Sequence, residues 1–223
     1  MKDTQIIMLG TGNAGVTRCY NTCFAIRTAE NVLLVDAGGG NGILVQLEKA
    51  GIAIERIHDM FVTHAHTDHI LGAVWVIRMV AQQMQSGKYA GVFRMYGHDK
   101  VLQVLDWICR MTLPKKIVQY LGNGIELCEV KDGETFKAGE LKLQSFDIDR
   151  LKRNNMVFVP HCRMANRWFV LEMNLIMRRI VPMWKGLTGC CARLSVCIKT
   201  VIYSNLMRNT IVRHWMPGSW RKN

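Results

Sequence analysis

Apolar and polar positions alternate cleanly through the first two-thirds of the chain. Gln5 to Leu9 reads as a strand that ends in a glycine-containing loop. Thr22 to Arg27 and Val32 to Val35 read as a hairpin turning at Ala29-Glu30-Asn31. Gly38-Gly39-Gly40 opens a helix with Ile43, Leu44 and Leu47 on its apolar face. Ile57 to Val62 is a strand. Ile70, Ala73, Val74, Ile77, Val80, Ala81 and Met84 then recur at helical spacing. Val92 to Tyr96 predicts a strand and Lys100 to Met111 a helix. Leu127 to Val130 and Leu141 to Phe146 flank a turn at Lys131-Asp132-Gly133-Glu134. Strands alternating with helices, after an opening hairpin, predict an α/β fold. After Asp149 the pattern collapses, and apolar residues follow neither period for long.

Chemistry concentrates where the strand at 57–62 meets the long helix. His64-Ala65-His66-Thr67-Asp68-His69 puts three imidazoles and a carboxylate within six positions. Imidazole and carboxylate suit borderline-soft divalent metals such as zinc. Residues two apart can place both side chains on one metal, so His64 and His66 would bind a first metal. Asp68 and His69 fall to the other side, toward a second. Metals ~3.5–4 Å apart can hold a bridging hydroxide and clamp a scissile bond. Asp36 is the candidate for steadying this loop, against a plain role as a strand-end turn residue. His58 and His98 lie away from the motif in sequence and read as ordinary surface or packing residues. Gly10 and Gly12 form a lone GxG, which is weak evidence for phosphate binding.

These residues resemble the metallo-β-lactamase family. The HxHxDH run is similar to its signature. Met8-Leu9-Gly10-Thr11-Gly12 resembles the LGTG opening of its ribonuclease Z-like members. Leu33-Leu34-Val35-Asp36-Ala37-Gly38 resembles the segment that buttresses the metal loop, and Thr63 and Gly72 fit as well. The resemblance covers about residues 5–149. It implies the first half of an αββα sandwich and a metal-dependent hydrolase with two zinc ions, or manganese or iron. A metal-bound hydroxide would attack a phosphodiester of the tRNA 3′-processing type. The alternative on the same fold is a small ester, lactone or cyclic phosphodiester. The ligands implied are His64, His66, Asp68 and His69, with Asp68 also catalytic. The family places a further histidine after the strand at 141–146. Here that place reads Asp147-Ile148-Asp149, so Asp149 is the candidate carboxylate ligand.

Charge divides the chain in two. The overall balance is +12. Residues 1–149 carry 15 Lys and Arg against 16 Asp and Glu, whereas residues 150–223 carry 14 against the single acid Glu172. The segment could be an irregular capping region, or a basic tail whose Trp168, Trp184, Trp215 and Trp220 bind RNA, the chain then being a non-catalytic remnant or an RNA binder. Such tails are rich in Gly, Ser or Lys, however, not in Met, Ile and Cys. Translation in the wrong frame accounts for the composition better. Met and Trp have one codon each, so reading the last base of a codon with the next two forces several residues. Met173 before Asn174 becomes Glu, and Trp215 before Met216 becomes Asp. Permitted third bases give an open string from Leu151 onward. It contains GDE, whose Asp arises across Glu172 and Met173, and HHST, whose ligand His straddles Thr210 and Ile211; both resemble the family's remaining ligands. The expectation is therefore two segments, 1–149 and an out-of-frame tail at 150–223. The tail is expected to be irregular, to lack the second sheet that covers the first, and to leave turnover weak or absent.

The eight cysteines have no CxxC spacing and read as reduced thiols of a cytoplasmic protein. No run of 18 apolar residues implies a membrane span. The partner classes expected are RNA or a small phosphodiester, no membrane, and a second copy in a homodimer.

Overall fold

A computed structural model describes residues 4–147 and 156–160. Strands β1 (Gln5–Gly10), β2 (Cys23–Arg27) and β3 (Val32–Val35) come first. Helix α1 (Gly42–Lys49), a 3₁₀ turn (Ile54–Arg56), β4 (Ile57–Phe61) and α2 (Thr67–Gln85) follow. Then come β5 (Phe93–Gly97), α3 (Asp99–Thr112), α4 (Lys115–Val118), β6 (Ile125–Glu129), β7 (Thr135–Ala138), β8 (Leu141–Asp147) and β9 (Met156–Pro160).

Strands β1 to β6 form one sheet in chain order. β1, β2 and β3 pair antiparallel, and β3 through β6 pair parallel. The central strands are apolar on both faces because both faces are covered. Leu34, Met60 and Met95 meet Ile43, Leu47, Ile70, Ile77 and Leu105 of the helices on one side. Phe24, Ile26, Leu33, Val35, Phe61 and Tyr96 meet Leu143 and Phe136 on the other. Burying side chains of this size stabilises by ~1.5–3 kcal/mol each.

The second face differs from expectation. A three-stranded sheet, β7-β8-β9, begins the cover that the sequence reading found missing. The turn at Lys131-Glu134 does not pair its flanking strands. It leads from β6 in the first sheet to β7 in the second, and β7 forms a hairpin with β8. The short TFKA strand was missed because its four residues carry too little periodicity. Met156–Pro160 lies past the expected boundary and pairs antiparallel with β8, Asp147 opposite Met156. The two sheets are pinned by polar groups as well as apolar ones. Buried Asp59 of β4 accepts from Asn31 at 2.5 Å and lies 3.2 Å from the Tyr96 hydroxyl, which donates to the Lys137 carbonyl at 2.8 Å. Burial pushes the Asp59 carboxyl above the usual carboxylate range.

Topology decides where chemistry can happen. β1, β3, β4 and β5 all run the same way, so the segments after them leave one edge of the sheet together. Those segments carry residues 11–22, 36–41, 62–66 and 98–99. The carboxyl edge of an open parallel sheet is where ligands usually bind.

Candidate metal centre

Strand β4 ends at Phe61, and the Val62 amide still donates to the Tyr96 carbonyl at 2.9 Å. The next four residues leave the sheet, and α2 starts at Thr67. Asp68 sits in the first turn of α2, where the helix dipole favours a carboxylate. His64 and His69 are buried, Asp68 is half-buried, and His66 is exposed.

One carboxylate organises the loop. Asp36 follows β3, is 4% exposed and has φ 55°. Its Oδ1 accepts the Thr63 amide at 2.8 Å. Its Oδ2 accepts the Thr63 hydroxyl at 2.8 Å and stands 2.8 Å from His69 Nδ1. A carboxylate accepts only, so His69 carries its proton on Nδ1 and presents Nε2 as a lone-pair donor. The Thr63 hydroxyl has spent its one proton on Asp36. Its oxygen can therefore only accept from His64 Nδ1, 2.9 Å away. His64 thus takes the same tautomer, with the proton on Nδ1 and Nε2 unprotonated. A metal-binding histidine needs this arrangement, in which the far ring nitrogen donates to a fixed acceptor.

The geometry brings the predicted residues together. The His64 ring centroid is 4.0 Å from that of His69 and 4.6 Å from that of His66. His69 Nε2 is 3.4 Å from Asp68 Oδ2. Burial, with His69 close by, pushes the His64 imidazole down to about 4, so it is neutral at ordinary pH. A neutral imidazole is the form that binds metal. Among the described residues, no group of three or more His, Cys, Asp or Glu is gathered tightly enough to hold a metal. The chemistry of the donors still suits a divalent cation: two buried neutral imidazoles lie 4.0 Å apart by ring centroid, and a carboxylate oxygen lies 3.4 Å from one of them. Asp149, the candidate extra ligand, lies outside the described residues, as do His161 and His214.

The scaffold around Asp36 is equally constrained. The Ala37 amide donates to the His69 carbonyl at 3.0 Å, and the Gly72 amide to the Gly38 carbonyl at 2.9 Å. A Cβ on Gly72 would lie 1.8 Å from the Ala37 carbonyl oxygen, so only glycine lets α2 approach. Sequence reasoning missed Tyr20, whose hydroxyl reaches the carbonyls of Ala37 at 2.8 Å and Gly40 at 2.7 Å. It also missed Asn21, which accepts from the Gly39 amide at 3.1 Å. Neither belongs to a motif with its own mechanism, and only the fold places them here. His98 caps α3 at the same edge as the metal loop, which its sequence distance concealed. His58 lies at the start of β4 and packs on Tyr89, ring centroids 5.1 Å apart.

A sequence profile of the anti-Pycsar protein Apyc1 family matches residues 4–163. The chain belongs to that family. The Apyc1 family member is also 40% identical over 75 residues to the Ribonuclease Z of Pyrococcus furiosus, covering 33% of this chain and 24% of that one. It thus spans about a quarter of that curated relative. The short form of human tRNase Z superposes with a TM-score of 0.57 at 16% identity, over 75% of this chain and 68% of that one. A diphosphatase of the PhnP family superposes with 0.53 at 17% identity, over 70% and 61%. With a metallo-β-lactamase fold protein of Bacillus subtilis, which superposes with 0.55 at 14% identity over 71% and 58%, these show that fold with a ribonuclease Z-like sequence. Among the described residues no helix is long and apolar enough to cross a membrane.

The Thr63 lock has a measurable consequence. In T63V, His64 loses its Nδ1 partner while Asp36 keeps His69. Zinc affinity, read by competition with a chromophoric chelator, should fall about 10–100-fold. Unchanged affinity would show that the Thr63 contact does not orient His64.

Proposed function

We propose that this protein is a metal-dependent phosphodiesterase of the ribonuclease Z type. The observation that carries the reading is the pair of buried imidazoles, His64 and His69, held in one tautomer by Asp36 beside the Asp68 carboxylate. His64, His66, Asp68 and His69 would hold divalent metal, zinc by donor type, with manganese or iron the alternatives. When bound, such ions polarise phosphoryl oxygens and make water acidic. The chain's own part is to keep His64 neutral, to hold both rings with the proton on Nδ1, and to place Asp68 where it can accept a proton or bind cation.

The relatives' name favours an RNA phosphodiester, of the kind cut in tRNA 3′ processing. A second reading, a cyclic or other small phosphodiester, is favoured by the family match, whose name is not that of ribonuclease Z, and by the fold shared with a diphosphatase. One panel separates them. The purified full chain is loaded with zinc or manganese, dialysed and assayed for metal. It is then offered bis-p-nitrophenyl phosphate, a 2′,3′-cyclic nucleotide, a precursor tRNA and a lactone. Near-stoichiometric metal and phosphodiester cleavage are expected, with the lactone untouched. Absence of bound metal, or a lactone cleaved in preference, would refute the reading.

The segment beyond Asp149 bears on turnover. We infer that the gene loses a base near Asp149-Arg150, so that residues 150–223 are an out-of-frame product. The support is the loss of acids after Asp149, their forced return at Met173-Asn174 and Trp215-Met216, and the GDE and HHST strings. The bridging carboxylate and last histidine of the family would arise there. Restoring the frame should raise phosphodiesterase turnover at least tenfold over the present chain. A repaired chain no more active than the original would refute the frame reading and leave the metal reading standing on its metal content.

A further inference from the structure

We propose that the Asn13–Cys19 loop is the substrate-facing rim of the metal centre, and that Arg18 is the cation it offers to a phosphate. The inference rests on the phosphodiesterase reading and adds the contact that selects for charge.

The loop after β1 leaves the same sheet edge as the metal loop. Its neck is closed tightly. The amides of Thr11 and Gly12 donate to the Tyr20 carbonyl at 3.1 and 2.8 Å, and the Thr22 amide donates to the Gly12 carbonyl at 2.9 Å. A Cβ on Gly10 would lie 2.0 Å from the Asn21 carbonyl oxygen, so the neck cannot open for a larger residue. Between those ties, Asn13, Ala14, Gly15, Thr17, Arg18 and Cys19 are exposed. This is a short surface loop with its ends fixed, the usual form of a recognition loop.

Asn21 joins that loop to the metal centre. Its Nδ2 donates to the Asn13 carbonyl at 3.1 Å, while its Oδ1 accepts from the Gly39 amide. A Cβ on Gly39 would lie 2.9 Å from Asn21 Oδ1 and 3.9 Å from the Asp68 Cα. One glycine therefore separates the loop's anchor from a proposed metal ligand.

Arg18 stands apart from the other arginines of the described residues. Arg27 and Arg56 donate to the carbonyls of Ala50 and Ala29. Arg94 and Arg110 pair with Glu126 and Asp106, and Arg78 lies over the Trp75 ring. Among the described residues, no hydrogen bond or ion pair engages Arg18. An exposed guanidinium left without a structural task, on a fixed loop beside a centre that handles phosphate, is suited to bidentate phosphate contact.

The test compares R18A and R18K with the full wild-type chain, each loaded with metal. Arg18 is no ligand, so metal content should not change. For bis-p-nitrophenyl phosphate, R18A should raise KM about tenfold while kcat moves less than about twofold, with R18K in between. The neutral ester p-nitrophenyl acetate should show no such KM change. An unaltered KM in R18A would overturn the proposal. Inorganic phosphate, titrated by phosphorus NMR line width, gives a readout independent of turnover. About tenfold weaker phosphate binding by R18A supports the contact, and equal affinities, or no binding by either chain, overturn it. A wild-type chain that binds phosphate through Arg18 but cleaves no phosphodiester would count against the phosphodiesterase reading alone.

Discussion

The site depends on one carboxylate with more donors than a turn residue needs. Asp36 takes the Thr63 amide, the Thr63 hydroxyl and the His69 ring at 2.8 Å each. To do so it adopts φ 55°, a region that costs a non-glycine residue about 1 kcal/mol or more. The strain is held from both sides. The Asp36 amide bonds the Phe61 carbonyl at 2.9 Å, and the next residue bonds His69 of α2. Tyr20 fixes the far end of the same loop through Ala37 and Gly40. A single backbone kink thereby joins β3, β4 and α2 and sets the proton position on two imidazoles.

Much of this was legible in the residues. The strand, loop and helix around His64–His69 followed from an apolar run, four donors and a 3.6-residue period. Asp36 could be named because a strand-end carboxylate beside such a loop has an evident use. What could not be read is how Thr63 passes the Asp36 preference to His64, because that needs the hydroxyl proton's direction. Tyr20 and Asn21 were invisible for a related reason. Each acts on backbone atoms 17 to 20 positions away, and no local pattern encodes such a contact. The second sheet was underestimated because β7 is four residues long and β9 falls where periodicity had already failed.

The same edge of the sheet gathers the rest of the chemistry. Parallel pairing of β3, β4 and β5 brings Asp36, the metal loop and His98 out side by side, and β1 contributes the Arg18 loop from the flank. The proposed phosphodiesterase would use this edge for its anionic substrate. Of the proposed ligands only Asp68 is a carboxylate, and the proposed phosphate contact, Arg18, is exposed on the flanking loop. The proposed loss of a base near Asp149-Arg150 would account for the strongly basic remainder, residues 150–223.

The central claim is that Asp36 dictates where the protons of His64 and His69 reside. Long-range proton–nitrogen correlation spectra of the full, metal-free chain at pH 7 to 8 test it directly. The account predicts that both rings carry the proton on Nδ1, with Nε2 unprotonated, and that D36N loses this preference at both. Either ring protonated on Nε2 in the wild-type chain, or tautomers unaltered by D36N, would contradict it.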